Sequence, residues 1–353
     1  MERARRDAER FCREMLPRVS RTFALNIGVL PEPLCAVVRQ AYLFCRIADT
    51  VEDSPHLPAA DRPVLLAAYR SLFPLAPTWE ERAAAWAAPF AALTALSGAG
   101  ADVALCARAP EVFRAFAAMP PDYRAPVEAC VREMTAGMET FAARRAASAD
   151  GTLHIESVAD LEAYCHYVAG TVGQMLCALF AIARPGLNGE RYQRMQALAG
   201  RFGLAMQLTN IVQDVAEDAR RGDFYVPRAV AARHRLRPDD ILDPARRDAA
   251  AAVVRELGRH AAGALDAALE FTLLIPRREA RLRLFCLWPL FLAVRTLGQA
   301  LHDERMLIPG QRPRIGRNEV RRCLGRTVLA VGSNDALRRL YARECRELAP
   351  ALG

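Results

Sequence analysis

Apolar residues along this chain recur at steps of three and four rather than in alternation, and β-branched runs are scarce. That pattern predicts an all-α protein. Residues 1–19 read as a first helix ending near Pro17, followed by a Ser20-Arg21-Thr22-Phe23 turn with capping hydroxyls and breaks at Pro31 and Pro33. A helix through residues 42–53 then runs into a proline-bearing loop at 54–63. Ala-rich helices follow over 64–118, with a turn at Ser97-Gly98-Ala99-Gly100. Residues 126–145 are predicted helical with Pro126 in the first position, where its missing N–H costs nothing. Two long buried helices, 160–182 and 191–222, carry polar residues on one side. Gly170 and Gly173 in the first of them cost helix propensity unless something bulky, a ligand tail or another helix, approaches that backbone. Residues 223–227 stop the second, and 235–244 read as a surface connection. The remainder is helix over 245–275 and 280–301, a break at 305–316, and a last helix from Asn318. No fixed-period repeat or long linker divides the chain, so a single helical domain over 1–353 is expected.

Composition fits a globular chain: 353 residues, 52% apolar and 25% charged. The net charge of +8 comes from arginine alone, since the chain contains no lysine. Arginine suits diphosphates and acidic membrane surfaces, because its planar fork binds phosphate oxygens in pairs. No basic stripe with interleaved aromatics is present, which argues against a nucleic-acid partner. The ten cysteines show no C-x-x-C spacing, so neither a zinc site nor a redox dithiol is indicated. The first residues are charged and amphipathic without an apolar signal core. The most apolar window, 284–294, is too short to span a bilayer. These features predict a cytoplasmic protein, soluble or peripherally membrane-associated, with no transmembrane segment or signal peptide.

Two clusters carry chemistry. In YLFCRIADTVED, Tyr42, Arg46, Asp49 and Asp53 share one helix face; carboxylates four apart repel unless a cation sits between them. In QLTNIVQDVAED, Gln207, Asn210, Asp214 and Asp218 share a face, with Glu217 at its edge. Either cluster alone reads equally well as a solvated face, since D-x-x-x-D is common in helices. Together, in an apolar all-α chain, they suit two helices facing across a bundle and holding two or three Mg²⁺ ions on a diphosphate. Neutralising that leaving group makes heterolysis of an allylic C–O bond feasible, and an apolar pocket confines the carbocation.

Over residues 20–320 the chain resembles the squalene/phytoene synthase family. The resemblance rests on SRTF (20–23), DTVED (49–53), YCHYVAGTVG (164–173) and QLTNIVQDVAEDARRGDFYVP (207–227). It implies an isoprenoid-synthase bundle with a large central apolar cavity, and Mg²⁺ bound by Asp49, Asp53, Asp214 and Asp218 with Glu52 and Glu217 in support. Arg21, Arg46 and Arg220 or Arg221 would contact diphosphate, beside Ser20. Tyr42 and Tyr164 would line the reaction centre, Gln207 and Asn210 its polar wall, and Phe285 with Trp288 the apolar cavity. Tyr164 is the candidate proton acceptor, though a neutral phenol is a poor base and needs help from an arginine or the departed diphosphate. No Rossmann fingerprint exists for NADPH; Arg314 and Arg317, with Asn210 and Phe285, are its candidates by analogy, against the plain reading of RPRIGR as solvated surface. VAEDARRGDFYVP and Thr171 look like the phytoene branch, whereas DTVED, YCHYVAG and above all FCLWPLFLAVRTL (285–297) followed by RPRIGRNEV look like the squalene branch. The implied reaction joins two farnesyl diphosphates head to head through presqualene diphosphate, then reduces that intermediate with NADPH to squalene. A peripheral membrane contact for product release is also expected. Rival readings are a phytoene or dehydrosqualene synthase without the reduction, a head-to-tail prenyltransferase or cyclase, which would carry D-D-x-x-D, and a non-enzymatic helical scaffold. His166 reads as a core histidine, His56 and His154 as loop residues without metal partners, and Met134 and Met138 as core.

Overall fold

A computed structural model describes residues 2–54, 56–94 and 100–352. The expected turn at 97–100 falls, for residues 97–99, outside them, as does Pro55 of the 54–63 loop. The helical class is as the periodicity predicts, and the chain groups into two compact units, Met1–Ala146 with Met175–Gly186 and Ala147–Gln174 with Leu187–Gly353.

The first unit holds α1 (Glu2–Val19), α2 (Arg21–Gly28), α3 (Leu34–Asp53), α4 (Asp61–Arg70), α5 (Trp79–Leu93), α6 (Ala101–Ala107), α7 (Ala109–Ala117) and α8 (Pro121–Ala147). Helix α3 packs on α1, α2, α4, α6 and α7. Its buried side chains, Leu34, Val37, Val38, Ala41, Phe44, Ile47, Ala48 and Val51, follow helical spacing. Phe44 anchors an aromatic core with Phe73, Phe113 and Phe116 at ring separations of 5.1, 4.8 and 5.1 Å. With that face buried, Tyr42, Arg46 and Asp49 are left half-buried and Asp53 exposed. The C-terminal end of α3 is closed by Arg62, whose guanidinium donates to the Glu52 and Ser54 carbonyls at 2.7 and 3.0 Å. This places a cation at the negative pole of the helix.

Two prolines behave differently from expectation. Pro17 lies inside α1, which continues to Val19, and Pro126 lies inside α8 because the helix starts at Pro121. Pro121 takes the N-terminal role assigned to Pro126. Both interior prolines sit within about two turns of a helix end, where little of the ladder remains to be broken.

The second unit contains α9 (Val158–Cys165), a π-helical turn (His166–Gly170), the start of α10 (Thr171–Ala183), α11 (Gly189–Arg220), α12 (Arg228–Arg233), α13 (Arg247–Leu274), α14 (Ala280–His302), α15 (Arg317–Ala330) and α16 (Asn334–Leu352). The expected single helix from Asn318 is two, separated at Val331-Gly332-Ser333. A parallel pair, β1 (Leu153–His154) with β2 (Asp223–Phe224), aligns Leu153 with Asp223. Helix α11 packs chiefly on α13, α14 and the π turn. There Gly173 finds its reason in another helix, as does Gly203 on α11, whereas a Cβ on Gly170 would first meet the His166 ring of its own segment at 3.0 Å. A Cβ on Gly203 would stand 2.1 Å from the Ala169 carbonyl oxygen, and one on Gly173 2.1 Å from that of Ala199. Helix α14 carries a wholly buried arginine, Arg283, which donates to the Val331 carbonyl at 2.7 Å and to the Asn334 side chain. All ten cysteines are free thiols. Two helical stretches, Val158–Ala183 and Ala280–His302, are long and apolar enough to cross a membrane, although 284–294 alone is too short.

Gly203→Ala is expected to destabilise the fold by about 2 kcal/mol or more through overpacking. Gly263→Ala, on α13 where a new Cβ meets nothing within 4 Å, should stabilise by about 0.5–1 kcal/mol. Urea unfolding of the two variants checks both signs, and equal shifts would refute the close approach at Gly203.

Candidate active site

The first acidic face is built on α3 and α2. Ser20 caps α2 by accepting from the Phe23 amide at 3.3 Å and lies close enough to the Tyr42 hydroxyl to influence its ionisation. The Phe23 and Tyr42 rings lie 4.9 Å apart. Burial raises the Tyr42 phenol above its ordinary value, partly offset by Ser20 and Arg46. Arg21, in the first turn of α2, is exposed and makes no ion pair among the described residues.

Arg46 is committed to a partner that the sequence did not reveal. Its Nε donates to Asp102 Oδ1 at 2.8 Å and a terminal nitrogen to Oδ2 at 3.4 Å, while Asp49 lies 4.0 Å away. Asp102 sits in the first turn of α6, where the helix pole favours a carboxylate. Asp49 is therefore under-compensated. Burial first, then the Asp53 and Asp102 charges, push its carboxyl up to about 7 against the pull of Arg46. Asp49, Glu52 and Asp53 also crowd the last turn of α3, which carries no basic residue of its own. Carboxylates there oppose the helix dipole.

The second acidic face lies on the C-terminal half of α11, and the segment after α14 is strapped along it. Arg312 Nε stands 2.5 Å from Asp214 Oδ1 and another Arg312 nitrogen donates to Gln213 Oε1 at 2.9 Å. Gln213 in turn donates to the Pro313 carbonyl at 2.7 Å, and the Gly310 amide donates to Glu217. The start of RPRIGR, Arg312 and Pro313, is thus docked on α11, while Arg314, Gly316 and Arg317 stay exposed as the solvated reading expects. Burial raises the Asp214 carboxyl, opposed by Arg312, Arg221 and Arg314, while Gly310 and Arg220 hold Glu217 below its usual range. Arg220 pairs with Glu217 at 2.9 Å and Arg221 with Asp218 at 2.5 Å. Gln207 is half-buried and Asn210 exposed.

Tyr164, only 4% exposed, meets Tyr225 hydroxyl to hydroxyl at 2.9 Å, with the rings stacked 4.7 Å apart. The β pair positions Tyr225: the Ile155 amide donates to Phe224, and the Arg228 amide donates back to Ile155. The π turn begins two residues after Tyr164. Such bulges often mark functional sites. His154 stacks on Phe224 at 4.8 Å, and His166 is half-buried. Met134 and Met138 are core residues, each 1% exposed. Phe285 is buried on α14, Trp288 half-buried, and Arg314 and Arg317 exposed.

Asp102, Gln213, Tyr225 and Arg312 are the residues missed by sequence reasoning. Among the described residues, no three His, Cys, Asp or Glu side chains gather as a ready metal cluster. The donors present are nonetheless hard carboxylate oxygens, one with a raised pKa and one held by a guanidinium in a cation's place. That donor set fits Mg²⁺.

The raised Asp49 pKa has a signed consequence. The folded state holds this proton more tightly than the unfolded chain, so its contribution is fully present below the unfolded value near 4. It is lost as pH rises to about 7. Without divalent cations, Asp49→Asn should therefore melt above the wild type, with an advantage that is absent near pH 4, grows to about pH 7 and is flat beyond. Solvent screening trims its size, since 38% of the side chain is exposed. Calorimetry across pH checks it; a difference independent of pH would refute the shift.

The squalene/phytoene synthase family description matches residues 16–319. Squalene synthase 1 of Arabidopsis thaliana is 27% identical over 300 residues, 84% of this chain and 66% of the relative. Botryococcus squalene synthase of Botryococcus braunii is 31% identical over 244 residues, 68% of this chain and 47% of the relative. The chain spans about half to two thirds of the length of these curated relatives. The solved complex of TcSQS with the ligand BPH1237 superposes with a TM-score of 0.79 at 23% identity, over 98% of this chain and 92% of that one, which shows a shared fold. With the family match running through both carboxylate helices and the Tyr164 segment, this chain belongs to the squalene/phytoene synthase family.

Proposed function

We propose that this chain is a squalene synthase. Two farnesyl diphosphates lose one diphosphate and one proton to give presqualene diphosphate. That intermediate loses its diphosphate and takes a hydride from NADPH to give squalene. The observation that carries the reading is the pair of acidic helix ends, at Asp49–Asp53 and Asp214–Asp218, in a chain of this family. The FCLWPLFLAVRTL helix and the relatives named squalene synthase favour the reductive branch. We also take 1–353 as one working domain, because the chain passes between its two units after residues 146, 174 and 186, and a cytoplasmic location, soluble or peripheral, is part of the same proposal.

Asp49, Asp53, Asp214 and Asp218 would hold Mg²⁺, with Glu52 and Glu217 in support; NADPH phosphates would meet Arg314 and Arg317, with Asn210 nearby. The metal supplies neutralisation of the diphosphate leaving group, and the nucleotide supplies hydride. Arg46, already oriented by Asp102, presents its remaining guanidinium edge to diphosphate. Arg21 and Ser20 would add diphosphate contacts beside Arg46, and Arg220 and Arg221 would do so beside the second acidic cluster on α11, with Gln207 on the polar side of that helix. Tyr164 takes the proton lost in cyclopropane formation, its oxygen supported by the Tyr225 hydroxyl. Tyr42 and Phe285 contribute aromatic walls that tolerate cationic charge.

Purified protein given farnesyl diphosphate, Mg²⁺ and NADPH should yield squalene, and only presqualene diphosphate or dehydrosqualene when NADPH is withheld. A C30 product with the central double bond in both reactions would make it a dehydrosqualene synthase, and phytoene from a C20 substrate would place it in the other branch. Asp214→Asn should lower turnover by about 100-fold or more; full Mg²⁺-dependent turnover would remove α11 from the site.

Arg312 competes with a metal for the Asp214 carboxylate, whose Oδ1 it already holds. Arg312→Gln should therefore reduce the Mg²⁺ concentration giving half-maximal turnover by about fivefold, the removal of one competing charge. An unchanged or raised Mg²⁺ requirement would contradict the competition.

A further inference from the structure

The arginine nearest the acidic end of α3 does not close on its own neighbour. Arg46 and Asp49 stand three residues apart on one helix face, a separation at which opposite charges meet. On α11 that separation does close: Arg220 reaches Glu217 at 2.9 Å and Arg221 reaches Asp218 at 2.5 Å. Arg46 turns to Asp102 instead. Its Nε donates to Oδ1 at 2.8 Å and one terminal nitrogen to Oδ2 at 3.4 Å, so a whole edge of the guanidinium is engaged. The other terminal nitrogen is left 4.0 Å from Asp49 Oδ2, beyond hydrogen-bond length.

Asp102 is firmly mounted for this contact. It stands in the first turn of α6, which packs on α1, α3 and α5. Val103, Leu105 and Cys106 of that helix are buried, and the Cys106 thiol donates to the Ile47 carbonyl of α3 at 3.9 Å. Helix α6 is therefore anchored without the ion pair, whose side chains are 34% and 38% exposed. A pair so exposed adds little to the stability of a fold. What it does fix is the direction in which Arg46 points.

We propose that Asp102 is a positioning residue that withholds Arg46 from Asp49 and so keeps the Asp49 oxygens open to a divalent cation. The inference rests on the metal role proposed above for Asp49, and it adds to that site a residue outside both acidic motifs. With its Nε edge held by Asp102, the guanidinium supplies positive charge near Asp49 without occupying the lone pairs that a hard cation needs. Without the charge of Asp102, Asp49 becomes the nearest carboxylate, and rotation of the Arg46 side chain closes the remaining gap. Arg46 would then sit on Asp49 as Arg312 sits on Asp214.

Mn²⁺ binding to the full chain without substrate tests it, read from the electron paramagnetic resonance signal of the free ion; Mn²⁺ shares the oxygen ligands of Mg²⁺. Binding present in the wild type and lost in Asp49→Asn defines the α3 component. Asp102→Asn should weaken that component about tenfold, because the ion then competes with a guanidinium. Removing the guanidinium should remove the effect. The Arg46→Gln/Asp102→Asn protein should therefore bind within about twofold of Arg46→Gln alone. All the variants should stay folded by circular dichroism, since buried side chains hold α6 in place. Wild-type binding by Asp102→Asn would overturn the inference while leaving Asp49 a ligand. An equal loss with and without Arg46 would also overturn it, reducing Asp102 to a charge acting through space. Wild type and Asp49→Asn binding Mn²⁺ alike would instead refute Asp49 as a ligand, and this inference with it.

Discussion

Two helices of this protein end in carboxylates, against the direction of their own dipoles. Helix α3 finishes with Asp49, Glu52 and Asp53, and α11 carries Asp214, Glu217 and Asp218 into its last two turns. Each placement costs about 0.3–1 kcal/mol per exposed charge before any mutual repulsion. Much of the surrounding chemistry offsets that cost. Arg62 caps the α3 carbonyls, Arg220 and Arg221 pair with the carboxylates three residues before them, and the strap bearing Gly310, Arg312 and Pro313 is fastened to Glu217, Asp214 and Gln213. A helix serving only as scaffold gains nothing from such an arrangement; one that receives a multivalent cation does.

Rigidity is supplied where the acids need it. The Gly173 and Gly203 contacts bring the α9–α10 segment against α11 at backbone distance, so the rows of side chains on α11 have little freedom to rotate. The π turn beside this crossing shifts the register of the helix just after Tyr164, and the short parallel strand pair fixes Tyr225 opposite it. The tyrosine pair is thus held by two local irregularities that a regular helix would not provide.

Helical class, the long α11 and α14, and the shared face of Tyr42, Arg46 and Asp49 could be read from the chain because each depends on spacing within one helix, whereas Ser20 entered the site only through the family resemblance. Pro17 and Pro126 were misplaced because a proline near a helix end costs too little to mark the boundary. Asp102 lay beyond reach: its partner is 56 residues away, and a single acid at the start of an Ala-rich helix carries no pattern. Arg312 was legible as a charge but not as a contact, since a basic run gives no sign of whether it docks or stays solvated. Gly173 signalled a close approach, and only the backbone of Ala199 says what approaches.

The two acidic ends resolve the same electrostatic problem in different ways. Arg46 is shared between Asp102 and the more distant Asp49, so Asp49 keeps a proton up to about 7 instead of gaining a full counter-ion. Asp214 has Arg312 to itself, and Arg312 is held in turn through Gln213. Under the proposed reaction, a cation arriving at Asp49 would displace a proton, while one arriving at Asp214 would compete with a guanidinium and loosen the strap. That difference would give the halves distinct roles. Burial raises the carboxyl at both ends, more at α3, and the α11 end would also link metal arrival to movement of the segment that carries Arg314 and Arg317, the residues proposed to meet the reductant's phosphates. Metal loading and the readiness of the reductive half-reaction would then be coupled through one ion pair.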